Sequence, residues 1–316
     1  MAVATQAATA APPIRRKITA SQRREIKWGL IFLSPWIIGF ALFTVFPMVA
    51  SLVFSVTEFN LLHPTEFKFI GLSNYARLFS DPQVIQSLLI TLKFALIAVP
   101  IGIFVPLGLA LLVNAKRLFG KNVFRALFYM PQMISAVAVV VVFGAVLNSE
   151  SGWINQILTA IGIEGPRWFQ DENWVIPALA IMTVWTVGST MITMLAGLQN
   201  VPTELYEAAR VDGASPVRSF FNITVPMISP VIFYNLVLAL IGSFQVFIAP
   251  FIIGAGRGDP NGSTMVYNLY LYKTAFAFLD MGYGATLAWV MFVICLILTV
   301  VLFKTQRRWV YYAGGE

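Results

Sequence analysis

Six long apolar runs dominate this chain, and they leave it few places to fold other than a lipid bilayer. They cover about residues 29–53, 88–113, 124–147, 174–198, 227–253 and 284–303. Each reaches the roughly 20 apolar residues that a helix needs to cross the hydrocarbon core. Lipid offers no water to a bare N–H or C=O, so a spanning segment must satisfy its own backbone, as a helix does. The expected fold class is therefore all-α: a polytopic membrane protein with six transmembrane helices. Composition supports this through its charge. Only 11% of the residues are charged and 58% are hydrophobic, whereas soluble domains carry about 25% charged residues. A water-soluble chain so poor in charge would expose large apolar patches.

The cations alternate between connections. Arg15, Arg16, Lys17, Arg23, Arg24 and Lys27 precede the first run. Lys116, Arg117, Lys121 and Arg125 separate the second from the third, Arg210 and Arg218 the fourth from the fifth, and Lys304, Arg307 and Arg308 follow the last. The remaining connections hold only Lys68, Arg77, Arg167, Arg257 and Lys273. Lys and Arg mark the cytoplasmic side, so both termini are expected inside, as an even number of spans requires. This placement also accounts for the net charge of +7 without a nucleic-acid partner, because the cations flank apolar runs instead of forming a patch with interleaved aromatics. Residues 1–13 are rich in Ala, Thr and Pro and read as disordered. Residues 15–28 suit either a basic helix on the anionic inner leaflet or a solvated tail. The chain thus divides into a cytoplasmic basic tail, 1–28, and a membrane domain, 29–316. The first apolar run is too long for the h-region of a cleaved signal.

Catalytic chemistry finds little to work with. Cys295 is the single cysteine and His63 the single histidine, which excludes an intrachain disulfide and any two-histidine metal site. There is no HExxH, no GxSxG elbow and no Walker A loop: Gly120-Lys121 is followed by Asn122 without the upstream glycine spacing. The glycine-rich stretch 254–260 has Asp259 where the third glycine of a dinucleotide loop belongs. No catalytic residue, bound cofactor or metal is expected.

The connection 201–226 is the most specific segment. Pro202 suits a first helical position, Glu204 and Glu207 favour the positive end of a helix, and Gly213 suits its left-handed stop. Ser215-Pro216 reads as an N-cap and first-turn proline for a second short helix. The expectation is a helix–turn–helix on the cytoplasmic face. Within it, Glu207-Ala208-Ala209 is followed by Gly213 after three residues, by Ile223 after nine more, and by Val225-Pro226. That spacing resembles the EAA loop of permease subunits in binding-protein-dependent ABC importers, with Val225 where leucine is commonest. Gly71-Leu72-Ser73-Asn74-Tyr75, the run Arg125 to Pro131, and Gly152 with Asn155 resemble segments of the carbohydrate branch, the maltose and glycerol-3-phosphate type. Only residues 1–28 fall outside the resemblance.

The resemblance implies a permease that pairs with a second homologous permease, two ATPase subunits and an extracytoplasmic solute-binding protein. ATP and Mg would be bound by the ATPase partners. The EAA loop would dock in an ATPase groove through Leu205, Glu207, Ala208, Ala209, Asp212, Gly213 and Pro226. Polar groups inside spans tend to face a cavity. Gln132, Trp185, Ser189, Thr190, Asn235 and Gln245, with Thr183 and Ser243, are therefore candidates for the substrate path. Trp185 and Ser189 are spaced for one helical face. Interhelical hydrogen bonding uses the same residue types. Lys93 is the only basic residue within a span, which tilts the expectation toward a neutral sugar or oligosaccharide. Glycerol-3-phosphate or another small solute, or a stand-alone secondary transporter, remains the alternative.

Overall fold

The computed structural model describes residues 19–63, 67–115 and 117–312. Arg15, Arg16, Lys17 and Lys116, and the disorder expected over 1–13, lie outside the described residues. The chain divides into two units, one ending at Val53 and the other beginning at Phe54. In the first, Thr19 opens a helix with a capping box: its Oγ1 accepts the Gln22 N–H, and Gln22 Oε1 accepts the Thr19 N–H. Helix α1 (Ala20–Phe40) passes through a π turn, Ala41–Val45, into α2 (Phe46–Ser55). The π turn lies beside Pro47, which has no N–H to donate back along the helix. Residues 20–28, read as tail from the sequence, are thus helical and continuous with the first apolar run. Phe32, Trp36 and Phe43 are exposed along it, as a face meeting lipid tails requires.

The second unit opens with a departure from all-α. Strands β1 (Thr57–Glu58) and β2 (Lys68–Phe69) pair antiparallel, Thr57 opposite Phe69 and Glu58 opposite Lys68. Two residues per strand carry no periodic signal, so composition could not announce them. The pair is held from α3 (Ser73–Arg77), where Asn74 Nδ2 donates to Ser55 O at 3.2 Å and Thr57 O at 3.1 Å.

Helix α4 (Pro82–Asn114) is the central element. Asp81 caps it and Pro82 fills its first turn, where a missing N–H matters least. One end buries Val84 and Ala95 with Tyr267, Tyr283 and Leu287. The middle buries Phe94 and Ala98 with Val175, Ile176 and Leu179. The far end buries Ile103, Leu107, Ala110 and Val113 with Met191, Met194, Leu198 and Ile228.

Two of the six expected spans are broken. The third consists of α5 (Lys121–Tyr129), a 3-10 turn at Met130–Met133 and α6 (Ala136–Val146), with a bend of 102°. Pro131 lies in that turn, and Ser135 restarts the helix by accepting the Ala138 N–H. After α7 (Trp153–Ala160), the fourth consists of α8 (Val175–Met182), a 3-10 turn at Thr183–Thr186 and α9 (Gly188–Gln199), bent by 56°. Four helices are long and apolar enough to cross a membrane unbroken, or up to six if each bent pair is one span.

The fifth apolar run lies in a helical stretch from Pro216 to Ile253 and the sixth in one from Met281 to Arg308. Their main helices are α12 (Val225–Phe244) and α15 (Met281–Thr305). Between them come α13 (Ile248–Ile253) and α14 (Tyr267–Tyr272). By hydropathy 254–283 is a connection between the fifth and sixth apolar runs, yet Val266, Tyr267 and Leu269 are fully buried. Tyr267 donates its N–H to Thr91 Oγ1 and its hydroxyl to Leu287 O, both at 2.9 Å, which stitches α14 between α4 and α15.

Candidate functional site

The loop expected to carry coupling is an exposed platform. Pro202 takes the cap position, one residue earlier than expected, and α10 (Thr203–Val211) follows. Glu204 lies in its first turn and Arg210 in its last, each at the helix end its charge favours. Gly213 adopts φ +73. The Ala214 N–H reaches Ala209 O at 2.8 Å and the Gly213 N–H reaches Arg210 O at 3.1 Å. These two bonds make a Schellman turn, which satisfies the last carbonyls of α10. Ser215 accepts the Arg218 N–H at 3.3 Å, and Pro216 opens α11 (Pro216–Ser219). The predicted helix–turn–helix is present.

Leu205, Glu207, Ala208, Asp212 and Gly213 are exposed on this platform, and Ala209 and Pro226 are half-buried. Three larger side chains that the motif does not name join them: Val211 is 88% exposed, Val217 66% and Phe221 63%. Apolar groups left open on short helices suit a partner's groove. Tyr206, also outside the motif, places its hydroxyl 2.8 Å from Thr224 Oγ1 and so ties α10 to the base of α12. Its aromatic ring beside Glu207 was the one sequence signal available for it.

The candidate path residues divide. Gln132 Oε1 accepts the Ser189 N–H at 2.9 Å, so the amide from one broken span caps the restarted helix of the other. Trp185 lies in the 3-10 turn ahead of the bend and meets Phe143 edge-on, with ring centroids 5.8 Å apart. The bend at Val187 separates Trp185 from Ser189, so they do not share a continuous helical face as their spacing predicts. Gly188 allows the approach: a Cβ there would stand 2.4 Å from Phe128 O. Asn235 is buried, accepts the Thr193 hydroxyl at 3.2 Å and donates to Val231 O at 2.8 Å. It holds α9 against α12, which is the interhelical role. Thr190 is half-buried, with its carbonyl accepting the Thr193 hydroxyl at 2.9 Å, and Gln245 is exposed at the end of α12.

At the opposite end of α4, a polar cluster gathers residues far apart in sequence. Arg77 Nη1 binds Asp280 Oδ2 at 2.7 Å, and its guanidinium lies 3.9 Å from the Tyr283 ring centroid. Asp81 accepts the Gln83 N–H at 3.0 Å, the Tyr283 hydroxyl at 2.8 Å and the Tyr270 hydroxyl. Burial works to raise the Asp81 pKa, but these donors outweigh it and hold the carboxyl below its usual range. Burial, then the Asp81 carboxylate, pushes Tyr270 up to about 12, so it remains a donor.

Residues 98–310 match the family of the binding-protein-dependent transport system inner membrane component. This chain belongs to that family. The probable ABC transporter permease protein YesP of Bacillus subtilis (strain 168) is 40% identical over 95% of this chain and 97% of its own length. The sulfoquinovosyl glycerol transport system permease protein SmoG of Agrobacterium fabrum (strain C58 / ATCC 33970) is 34% identical over 88% and 90%. The lactose transport system permease protein LacF of Rhizobium radiobacter is 34% identical over 89% and 94%. The fold is shared with the crystal structure of a bacterial ABC transporter involved in the import of the acidic polysaccharide alginate. That match has a TM-score of 0.75 at 23% identity, covering 91% of this chain and 97% of the other. The permease is thus a multi-pass membrane component of an importer, and its EAA-type loop lies inside the matched region. The Gly71–Tyr75 segment of the resemblance also has a visible task here: Asn74 bonds two carbonyls, and the Tyr75 hydroxyl lies 2.9 Å from Ser55 Oγ. Asn155 does the same for the connection after α6, accepting the Trp168 indole N–H at 2.7 Å.

Proposed function

We propose that this permease crosses the membrane six times, with both termini cytoplasmic, and passes a sugar or oligosaccharide inward for an ATPase carried on separate chains. The observation that carries the reading is the 201–226 platform: a family signature on an exposed, Schellman-turned helix pair, in a connection bearing Arg210 and Arg218. In this reading two ATPase subunits bind ATP and Mg and seat α10 in their grooves. A second homologous permease completes the pore, and an extracytoplasmic solute-binding protein delivers the sugar. Leu205, Ala208 and Val211 supply apolar contact, Glu207 the polar contact, and Gly213 the reversal that lets the loop enter a groove.

Force follows the hydrogen bonds. ATP binding draws the coupling helices together. Tyr206 passes that motion to Thr224 and α12. Asn235 and Thr193 carry it to α9, and Gln132 sits where α9 meets the other broken span. Bent helices are suited to such gating, because a hinge already exists at Val187 and at Ser135.

The test is purification of the tagged chain in mild detergent from its native cell, with mass spectrometry of its companions. Recovery of an ATPase and a second permease is expected. Recovery of this chain alone, under conditions that keep other importers intact, would replace this reading with a stand-alone transporter.

A further inference from the structure

The permease has few cations within its spans, and from the sequence that argued for an uncharged solute. The fold gathers others that lie outside them. Two cavities of about 310 and 400 Å³ adjoin at the Asp81 end of α4 and share Gln86 in their walls. Lys93 lines the first, and Arg257 and Lys273 line the second. Glu172 is the only carboxylate lining either, and it accepts the Asn261 amide at 3.2 Å.

The nearby carboxylates of the polar cluster are also engaged: Asp280 by Arg77, and Asp81 by two tyrosine hydroxyls. Arg77–Asp280 is the only ion pair among the described residues, so Lys93, Arg257 and Lys273 each lack a carboxylate partner. Gln83, Gln86 and Lys93 fall on one face of α4. The stripe runs about 16 Å along the helix from Pro82 to Lys93, into the segment long enough to span the membrane. A docked protein could reach Arg257 at the mouth, but it could not follow the stripe along a spanning helix. A translocated solute could. Lys93 is exposed near the end of that segment, where a long side chain can hold its ammonium in the polar layer at the cavity wall.

We propose that these two cavities form the entry site for an anionic saccharide, its acidic group met by Arg257 and Lys273 and then by Lys93. Gln83, Gln86 and Asn261 serve the sugar hydroxyls, and the Tyr270 ring serves an apolar face. The inference rests on the sugar-permease reading and concerns only the charge of the sugar.

The experiment uses a strain deleted for this gene and complemented with the wild type or with the paired variant Arg257→Gln/Lys273→Gln. Cells receive a defined mixture of di- to tetrasaccharides: neutral ones of glucose, galactose and xylose, carboxylated ones of glucuronate, galacturonate and mannuronate, and sulfated ones of galactose. Mass spectrometry follows depletion from the medium. The wild type is expected to restore depletion of carboxylated or sulfated members, and the set that disappears distinguishes the two acidic groups. The variant is expected to slow it roughly ten-fold, as loss of charge-assisted hydrogen bonds implies. It should do so at unchanged membrane level and with unchanged co-purification of the partner chains, and Lys273→Arg should retain uptake. Depletion restored only for neutral members, or acidic uptake indifferent to the variant, overturns the proposal. If depletion of no saccharide depends on the chain, the sugar reading itself falls and this inference with it.

Discussion

At the scale of single residues, Gly213 and Asp81 show how one position can hold a larger arrangement. Gly213 stands at φ +73 and a Cβ there would meet nothing within 4 Å, so its requirement is conformational and not steric. Gly213→Ala should therefore carry only the left-handed penalty of about 1 kcal/mol. Gly213→Pro cannot reach that φ at all and loses the N–H given to Arg210 O. It should reach the membrane at normal level yet abolish uptake and co-purification of the ATPase, measured side by side with Gly213→Ala. The hydroxyl and N–H donors around Asp81 hold its folded pKa below the usual carboxylate range against the opposing effect of burial. Its contribution is fully present above the unfolded pKa and lost as pH falls through the folded value. The thermal stability of the detergent-solubilised permease should fall on acidification below about pH 4. Asp81→Asn should already be weaker at neutral pH and should lose that part of the pH dependence. Identical acid profiles for the two proteins would remove Asp81 from the account.

At the scale of elements, α10 had a legible beginning and end, because caps, a left-handed glycine and a first-turn proline are local signals. How it attaches to the rest was not legible. Tyr206 and Thr224 are 18 residues apart, and nothing local pairs them. Tyr206→Phe keeps the ring and removes one hydroxyl contact, about 1 kcal/mol. The expected outcome is an intact assembly in which transport per ATP hydrolysed falls, read in proteoliposomes. Unchanged coupling would show that motion leaves α10 by another route. The broken spans teach the complementary lesson. Hydropathy registered the third and fourth apolar runs as continuous, because a bend changes direction without changing composition. Pro131 and Gly188 stand at the breaks, and the bends of 102° and 56° depend on what each helix packs against.

At the scale of the whole molecule, the alternation of basic and non-basic connections predicts an orientation that is directly measurable. In a Cys295→Ser background, cysteines placed at Ser80 and Ser219 should differ. Ser80 should react with an impermeant maleimide in intact cells, and Ser219 only after the membrane is opened. Reactivity in the reverse sense would invert the orientation and place the 201–226 platform on the wrong side for an ATPase. The long helix α4 touches three separate clusters of buried residues. It therefore links the polar cluster at Asp81 to the platform at the other end of the unit, the arrangement that alternating access needs.

The sequence alone determined the solvent, the class and the caps and turn of the 201–226 loop. Apolar run length follows from bilayer thickness, and the EAA-type spacing is a local pattern whose caps and turn act within a few residues. It also marked the polar span residues, but not their employment: Asn235 is spent between helices and Gln132 on capping α9, and only a neighbour's position decides that. The burial of α14, the short strand pair, the hinge between Trp185 and Ser189, and the placing of Lys93 on one cavity and of Arg257 and Lys273 on another that shares Gln86 were decided by tertiary structure. Each joins groups distant along the chain, and their proximity is fixed by how whole helices pack, which no local propensity encodes.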